Sequence, residues 1–161
     1  MGYEMEPIGQ VRGGRMEAID DDWGAVRATI ELDPDQWSPD ALAGLDAFSH
    51  LDVVYLFHQV DPDGVTRDAR HPRGNTAWPR VGIFAQRARM RPNRLGVTTC
   101  RLLGVDGLSV RVQGLDAIDG SPVIDLKPHV REFTARGTIE QPQWMTELMA
   151  NYWVAKVAAI D

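Results

Sequence analysis

Leu95 to Gln113 reads LGVTTCRLLGVDGLSVRVQ, and its centre is a hairpin. Asp106-Gly107 separates the apolar-rich runs Leu95–Val105 and Leu108–Gln113, and glycine takes the positive φ that a tight two-residue connection needs. Upstream, Leu51 to Val60 (LDVVYLFHQV) is dense in β-branched and aromatic residues, which predicts a central strand. Ala25 to Leu32 alternates loosely and stops at Asp33-Pro34. Downstream, Asp119-Gly120 marks another tight turn before a strand over Val123 to Leu126. Two segments break the strand pattern. Ser38-Pro39 places a capping residue before a proline at the first helical position, which predicts a short helix through Leu42 and Leu45. In Gln143 to Ile160, residues Met145, Leu148, Met149, Tyr152 and Lys156 share a side at helical spacing, with Trp153, Val157 and Ile160 beside them. The expected fold is mainly β: a single-domain closed or nearly closed β-barrel with a short internal helix and a C-terminal helix at about 143–160.

The composition suits one core. At 161 residues, with 43% hydrophobic and 25% charged residues, residues 1–161 are expected to form one domain. No apolar run approaches a membrane span, and the opening MGYEMEPIGQ lacks the basic and apolar regions of a signal peptide. Glu6 stands where a myristoylation signal needs Ser or Thr. The lone cysteine, Cys100, makes no internal disulfide, so a cytoplasmic location and no membrane partner are expected. His50, His58, His71 and His129 lie in separate segments without ligand spacing, so no metal is expected. Cys100 lies mid-strand and is a poor nucleophile. The glycine-rich dinucleotide fingerprint is absent.

Gly82 to Asn93 reads GIFAQRARMRPN. Val81, Ile83 and Phe84 are β-formers, and Pro92-Asn93 breaks the run. Arg87, Arg89, Arg91 and Arg94 follow at near-alternate positions, so in an extended chain their guanidiniums would line one side of a loop. Asp61 to Arg80, rich in proline, glycine and arginine, reads as a long loop. Charge is separated along the chain: Arg67 to Arg101 holds nine arginines and one acid, Asp68, within a chain of net charge −6. That window is about +8 and the remainder about −14, which makes a focused positive region on an acidic molecule. It suits an anionic ligand, a carboxylate, a phosphate or a short RNA backbone. A broad nonspecific nucleic-acid binder would be basic overall, so no DNA partner is expected.

These residues resemble the TsaA-like family, whose best-known members are the TrmO tRNA methyltransferases. Its hallmark is Gly-hydrophobic-Phe-Ala-x-Arg-x-x-x-Arg-Pro-Asn, matched by Gly82, Phe84, Ala85, Arg87, Arg91, Pro92 and Asn93. Pro7-Ile8-Gly9, Gly44 to Leu51, Phe57-His58-Gln59, Pro72-Arg73-Gly74-Asn75 and Leu115 to Pro128 match further motifs in the same order, across residues 5–130. The resemblance implies a β-barrel, S-adenosylmethionine as cofactor, and a homodimer with the cofactor near the subunit interface. Its closest precedent is N6-methylation of threonylcarbamoyladenosine at position 37 of tRNA. Three departures bear on the acceptor. Gly13 to Asp22 (GGRMEAIDDD) lacks the Pro-Arg-Gln segment of the tRNA enzymes, Gln86 and Ala88 replace Thr and Ser, and the C-terminal domain of larger bacterial members is missing. Methylation of a small anionic metabolite is therefore a second reading, and a non-catalytic module holding the cofactor is a third.

The resemblance marks individual residues. His58 and Gln59 match cofactor-contacting positions; by itself, His58 also reads as a core histidine bonded to backbone. Arg87 is the expected carboxylate anchor, because its planar fork pairs both oxygens. Asp119-Gly120-Ser121-Pro122 is either a plain turn or, as in the family, a cofactor contact through free backbone groups. Leu95 is either core or an apolar wall for the cofactor. Arg73, Asn75, Arg91 and Asn93 are candidates for anion or substrate binding. Asp125 and Lys127 share a strand face and match Asp-x-Lys-Pro, as an ion pair or as catalytic groups. His129 stands where many members carry Tyr.

Overall fold

The computed structural model describes residues 1–154, and the turn signals identified above fall where its antiparallel strands change direction. The strands are β1 (Gly9–Arg12), β2 (Arg27–Leu32), β3 (His50–Leu56), β4 (Ala69–Arg70), β5 (Val81–Gly82), β6 (Leu95–Asp106), β7 (Ser109–Gln113) and β8 (Pro122–Pro128). Six of them close into a barrel in the order β1-β2-β7-β6-β3-β8, while β4 and β5 pair separately. β6 joins two walls. Its first half, from Leu95 to Arg101, pairs with β3, and from Arg101 onward it pairs with β7, with an irregularity between Leu102 and Gly104. The Asp106–Ser109 pair closes the expected hairpin, with Gly107 at φ +58.

Alternation fills the barrel. Leu51, Val53 and Tyr55 of β3 point inward at 0–1% exposure, against Val11, Ile30, Val110, Val112 and Val123 from the other strands. Each fully buried aliphatic side chain contributes about 1.5–3 kcal/mol, so this ring accounts for much of the fold's cohesion. Gly96 is a close contact point inside. A Cβ there would lie 2.4 Å from the Tyr55 ring, so only glycine lets that ring pack across β6. Cys100 is also buried, as expected of a mid-strand thiol.

Several local expectations are corrected. The short internal helix is two separate 3-10 turns, Pro39–Leu42 and Leu45–Ala47. Gly44 between them sits at φ +82, which no continuous helix allows, and Ser38 makes no side-chain cap bond. Leu51 to Val60 is strand only to Leu56. The Asp61–Arg80 loop carries β4, because Ala69 and Arg70 pair with Gly82 and Val81. The strand expected through Phe84 turns after Gly82 into a 3-10 turn, Ile83–Ala85.

The C-terminal helix, α1, spans Gln143–Met149 rather than 143–160. Tertiary bonds end it. The backbone N–H groups of Asp22 and Trp23 donate to the carbonyls of Asn151 and Tyr152 at 3.0 and 2.8 Å, and the Tyr152 hydroxyl donates to Asp116. The chain leaves the helix through turns, with the Ala150 and Tyr152 N–H groups on the Glu147 and Met149 carbonyls at 3.3 and 3.1 Å, and the Asn151 and Tyr152 carbonyls are taken by the segment before β2. The part of the expected helix over 155–160 lies outside the described residues.

Two measurements check this account. Gly96→Ala is expected to lower stability by about 2–3 kcal/mol, read from urea unfolding, because the Tyr55 ring must move. Stability is also expected to fall as the solution turns alkaline. Burial foremost, and then the Asp116 charge, raises the pKa of the Tyr55 and Tyr152 hydroxyls and pushes the Cys100 thiol up to about 12. A group with a raised folded pKa stabilises below its unfolded pKa and loses that contribution as pH rises. The decline therefore begins at about pH 9, and Tyr152→Phe is expected to make it shallower.

Candidate functional site

One end of the barrel gathers most of the motif residues. Leu56 of β3 pairs with Leu95 of β6, and the Phe57 N–H donates to the Arg94 carbonyl at 2.8 Å. Tyr55 and Gly9 both pair with Val123, and Gln10 pairs with Pro122. The end of β3, the start of β6 and the start of β8 therefore meet, bringing His58, Gln59, Leu95 and Asp119–Pro122 to the same rim. His58 lies against Gly120: a Cβ built there would be 3.7 Å from its Nε2. Its Nδ1 is buried and has no hydrogen-bond partner among the described residues. An orphaned polar atom of this kind costs about 1–3 kcal/mol, which a ligand group can recover.

The Asp119–Pro122 turn differs from its sequence reading. Its amides are not free, since Asp119, Gly120 and Ser121 donate to the carbonyls of Arg15, Val11 and Ile118 at 2.7, 2.7 and 3.1 Å. The Ser121 carbonyl accepts from Val11, and Asp119 Oδ1 accepts from the Gly13 N–H at 2.8 Å. What the turn offers is the carbonyls of Asp119 and Gly120, acceptors suited to an ammonium or an exocyclic amine. The Gly13–Arg15 segment, which lacks the Pro-Arg-Gln motif, is what packs against this turn. Arg15 also donates to the Asp21 and Asp22 carbonyls and stacks 4.5 Å over Trp23.

The arginines do not line one face. Arg87 donates to the Val97 carbonyl at 2.7 Å, Arg89 to Ala18 at 3.0 Å, Arg91 to Gln86 at 2.8 Å and Arg94 to Val60 at 2.9 Å. The chain after Ile83 is not extended, so alternate positions point to different neighbours. Gln86 is buried inside this loop and donates to the Arg70 and Val81 carbonyls. Of the anion candidates, Arg73 grips Asp21 through two bonds of 2.8 and 3.2 Å. Arg91 braces the loop as above. Asn75 accepts from the Ala77 N–H in its own turn, and Asn93 takes a left-handed φ of +63. Arg87 keeps the other edge of its fork available, two residues and about 7 Å along β6 from Leu95.

Asp125 and Lys127 form a 2.8 Å ion pair, which raises the lysine pKa. They stand opposite Val54 and Asp52, whose neighbours Val53 and Leu51 point inward, so the pair faces outward. Val54 also pairs with Val97, and Leu56 with Leu95, so this outer wall carries an apolar strip beside the ion pair. Val97 is 50% exposed. Further along, His129 Nδ1 lies 3.0 Å from Asp52, and Thr99 donates to the same carboxylate. Burial alone would raise the Asp52 pKa, but these two partners lower it.

Sequence reasoning passed over Asp116. Its carboxylate receives the hydroxyls of Tyr55, Thr98 and Tyr152, and its only local signal is an acid inside the apolar stretch Leu115 to Ile118. A surface depression of about 430 Å3 between β1 and β2 meets the candidate residues only at Pro122.

Comparison with known proteins supplies the relationship. Residues 21–135 match the tRNA-methyltransferase O N-terminal domain. The tRNA (adenine(37)-N6)-methyltransferase of Escherichia coli K12 is 35% identical over 138 residues, which are 80% of this chain and 58% of that protein. The enzyme of the same description from Mus musculus is 37% identical over 108 residues, 67% of this chain and 24% of its own length. The crystal structure of TrmO from Pseudomonas aeruginosa superposes with a TM-score of 0.71 at 32% identity, covering 89% of this chain and 62% of that one. The chain thus spans about three fifths of the bacterial relatives it matches. With the motif order, the barrel and the matched span in agreement, this chain belongs to the tRNA-methyltransferase O N-terminal domain family.

Proposed function

We propose that this chain binds S-adenosylmethionine at the β3–β6–β8 rim and serves methyl transfer to tRNA, with N6-methylation of threonylcarbamoyladenosine at position 37 as the precedent. The observation that carries the cofactor reading is the orphaned His58 Nδ1 beside Gly120, a buried polar atom that a ligand would satisfy. The available groups fit the same molecule. Arg87 offers a guanidinium edge for a carboxylate, the Asp119 and Gly120 carbonyls accept from an amine, Gln59 is exposed beside His58, and Leu95 adds apolar surface. When bound, the cofactor supplies a methyl group on a sulfonium, open to in-line attack by a lone pair.

The chain's own task is to hold the two reactants and exclude water. The outer wall of β3, β6 and β8 places Leu95 and Val97 on the same face as the Asp125–Lys127 pair, and we assign that pair to the acceptor side. Arg73, Asn75, Arg91 and Asn93 shape the neighbouring loops that receive the anionic acceptor. A half-exposed apolar strip beside the rim supports closure by a second copy, so we infer a homodimer; sedimentation equilibrium reads this directly. A tRNA substrate implies work in the cytoplasm.

Calorimetry and label transfer test the reading. One S-adenosylmethionine is expected to bind per chain, and Arg87→Ala to weaken binding by about 2–3 kcal/mol, the scale of a charged hydrogen-bonded pair. With methyl-labelled cofactor and tRNA carrying threonylcarbamoyladenosine, label is expected in that nucleoside by mass spectrometry. Label found only in a small anionic metabolite would replace the acceptor, and cofactor binding without any labelled product would leave a binding module.

A further inference from the structure

Six of the nine arginines between Arg67 and Arg101 are engaged by the protein itself. Arg73 holds Asp21, Arg70 turns towards Met90 Sδ, and Arg87, Arg89, Arg91 and Arg94 hold carbonyls. The side chains of Arg67, Arg80 and Arg101 make no hydrogen bond or ion pair among the described residues. Arg101 lies away from the rim, opposite His50 and Gln113. The other two belong to one ribbon. Ala69 pairs with Gly82 and Arg70 with Val81, and the Ile83 N–H donates to the Asp68 carbonyl at 2.9 Å. The ladder ends there, since Ile83–Ala85 is a 3-10 turn; Arg67 and Phe84 each lie one residue beyond the Ile83–Asp68 bond, while Arg80 directly precedes Val81 at the other end of the ribbon.

Phe84 is 78% exposed, although Ile83 beside it is 2% exposed. The position of a Cβ on Gly82 is open, with nothing within 4 Å, so the surface next to the ring is bare. The ribbon therefore displays one exposed aromatic ring at the end that Arg67 precedes, with Arg80 at its other end and Asp68 the acid between the two arginines in sequence. Bases of single-stranded nucleic acid stack on such rings, while their phosphates take the cations.

We propose that Phe84 is a stacking platform for an unpaired base of the RNA acceptor, with Arg67 and Arg80 on the adjoining phosphates. This rests on the methyl-transfer reading above and names the residues that would hold its acceptor. The charge of the ribbon favours a polyanion over a second copy of this acidic chain, whose net charge is −6.

Fluorescence anisotropy with a labelled anticodon stem–loop RNA, from 50 to 200 mM salt on the order used for such slopes, tests it. Phe84→Ala and Phe84→Leu are each expected to bind about 10-fold more weakly with the wild-type salt slope, because stacking is not an ionic contact. Phe84→Tyr is expected to stay within about 2-fold, since the ring face is kept. Arg67→Ala and Arg80→Ala are each expected to reduce the slope by about 0.7–0.9, the loss of one phosphate contact. Full affinity in Phe84→Leu would overturn the platform by showing that apolar bulk suffices. Conversion of a dimer to monomers by Phe84→Ala would overturn it in favour of a seat for the second copy. If the wild type binds the cofactor but not the RNA, the acceptor reading and the platform fall together; if it binds RNA and every Phe84 variant matches it, only the platform falls.

Discussion

The Asp116 carboxylate takes hydrogen bonds from the hydroxyls of Tyr55, Thr98 and Tyr152, and through them it ties β3, β6 and the C-terminal segment to one point. A carboxylate partly withdrawn from water is tolerated only when its oxygens are matched by donors, so each hydroxyl is obligatory in position as well as in type. The consequence runs along the chain. The segment from Gly114 to Ile118 is held to β3 and β6 through Asp116, and the turn that follows it arrives against Gly13, Arg15 and His58. The close packing of the Tyr55 ring over Gly96 serves the same contact by aiming the Tyr55 hydroxyl at Asp116.

Arginine plays two parts in this molecule. A guanidinium has five donors in a fixed plane, so one side chain can bridge loop carbonyls that no strand would satisfy. Arg87, Arg89, Arg91 and Arg94 each hold one backbone carbonyl, and they brace the loop from Gln86 to Arg94 around its 3-10 turn, Pro92–Arg94. The acidic segment from Asp20 to Asp22 is drawn into the same framework through Arg15 and Arg73. The charge separation along the sequence is thus partly neutralised within the fold, where Arg73 meets Asp21 and Asp20.

The outer wall of β3, β6 and β8 and the rim above it belong together. Inward residues of these strands build the core, and the same alternation sends Val54, Leu56, Leu95 and Val97 outward as an apolar strip. The rim supplies an orphaned imidazole nitrogen, carbonyl acceptors and a guanidinium edge; the wall supplies apolar area and an ion pair.

Local chemistry was legible in the chain itself. Asp106-Gly107 set its hairpin, period-two alternation set the inner face of β3, and the spacing of the motif residues from Gly44 to Pro128 marked the family, because these signals involve neighbours a few residues apart. Partners chosen through space were not legible. Nothing near Arg87 says that it will hold Val97, nothing near Arg73 names Asp21, and the helix after Gln143 gives no local reason to stop at Met149. In each case the winning bond joins segments far apart in sequence, and its geometry exists only once the barrel has closed. Asp116 shows the limit most plainly: a single acid in an apolar stretch says that donors must come to it, and only the tertiary structure decides that they are Tyr55, Thr98 and Tyr152.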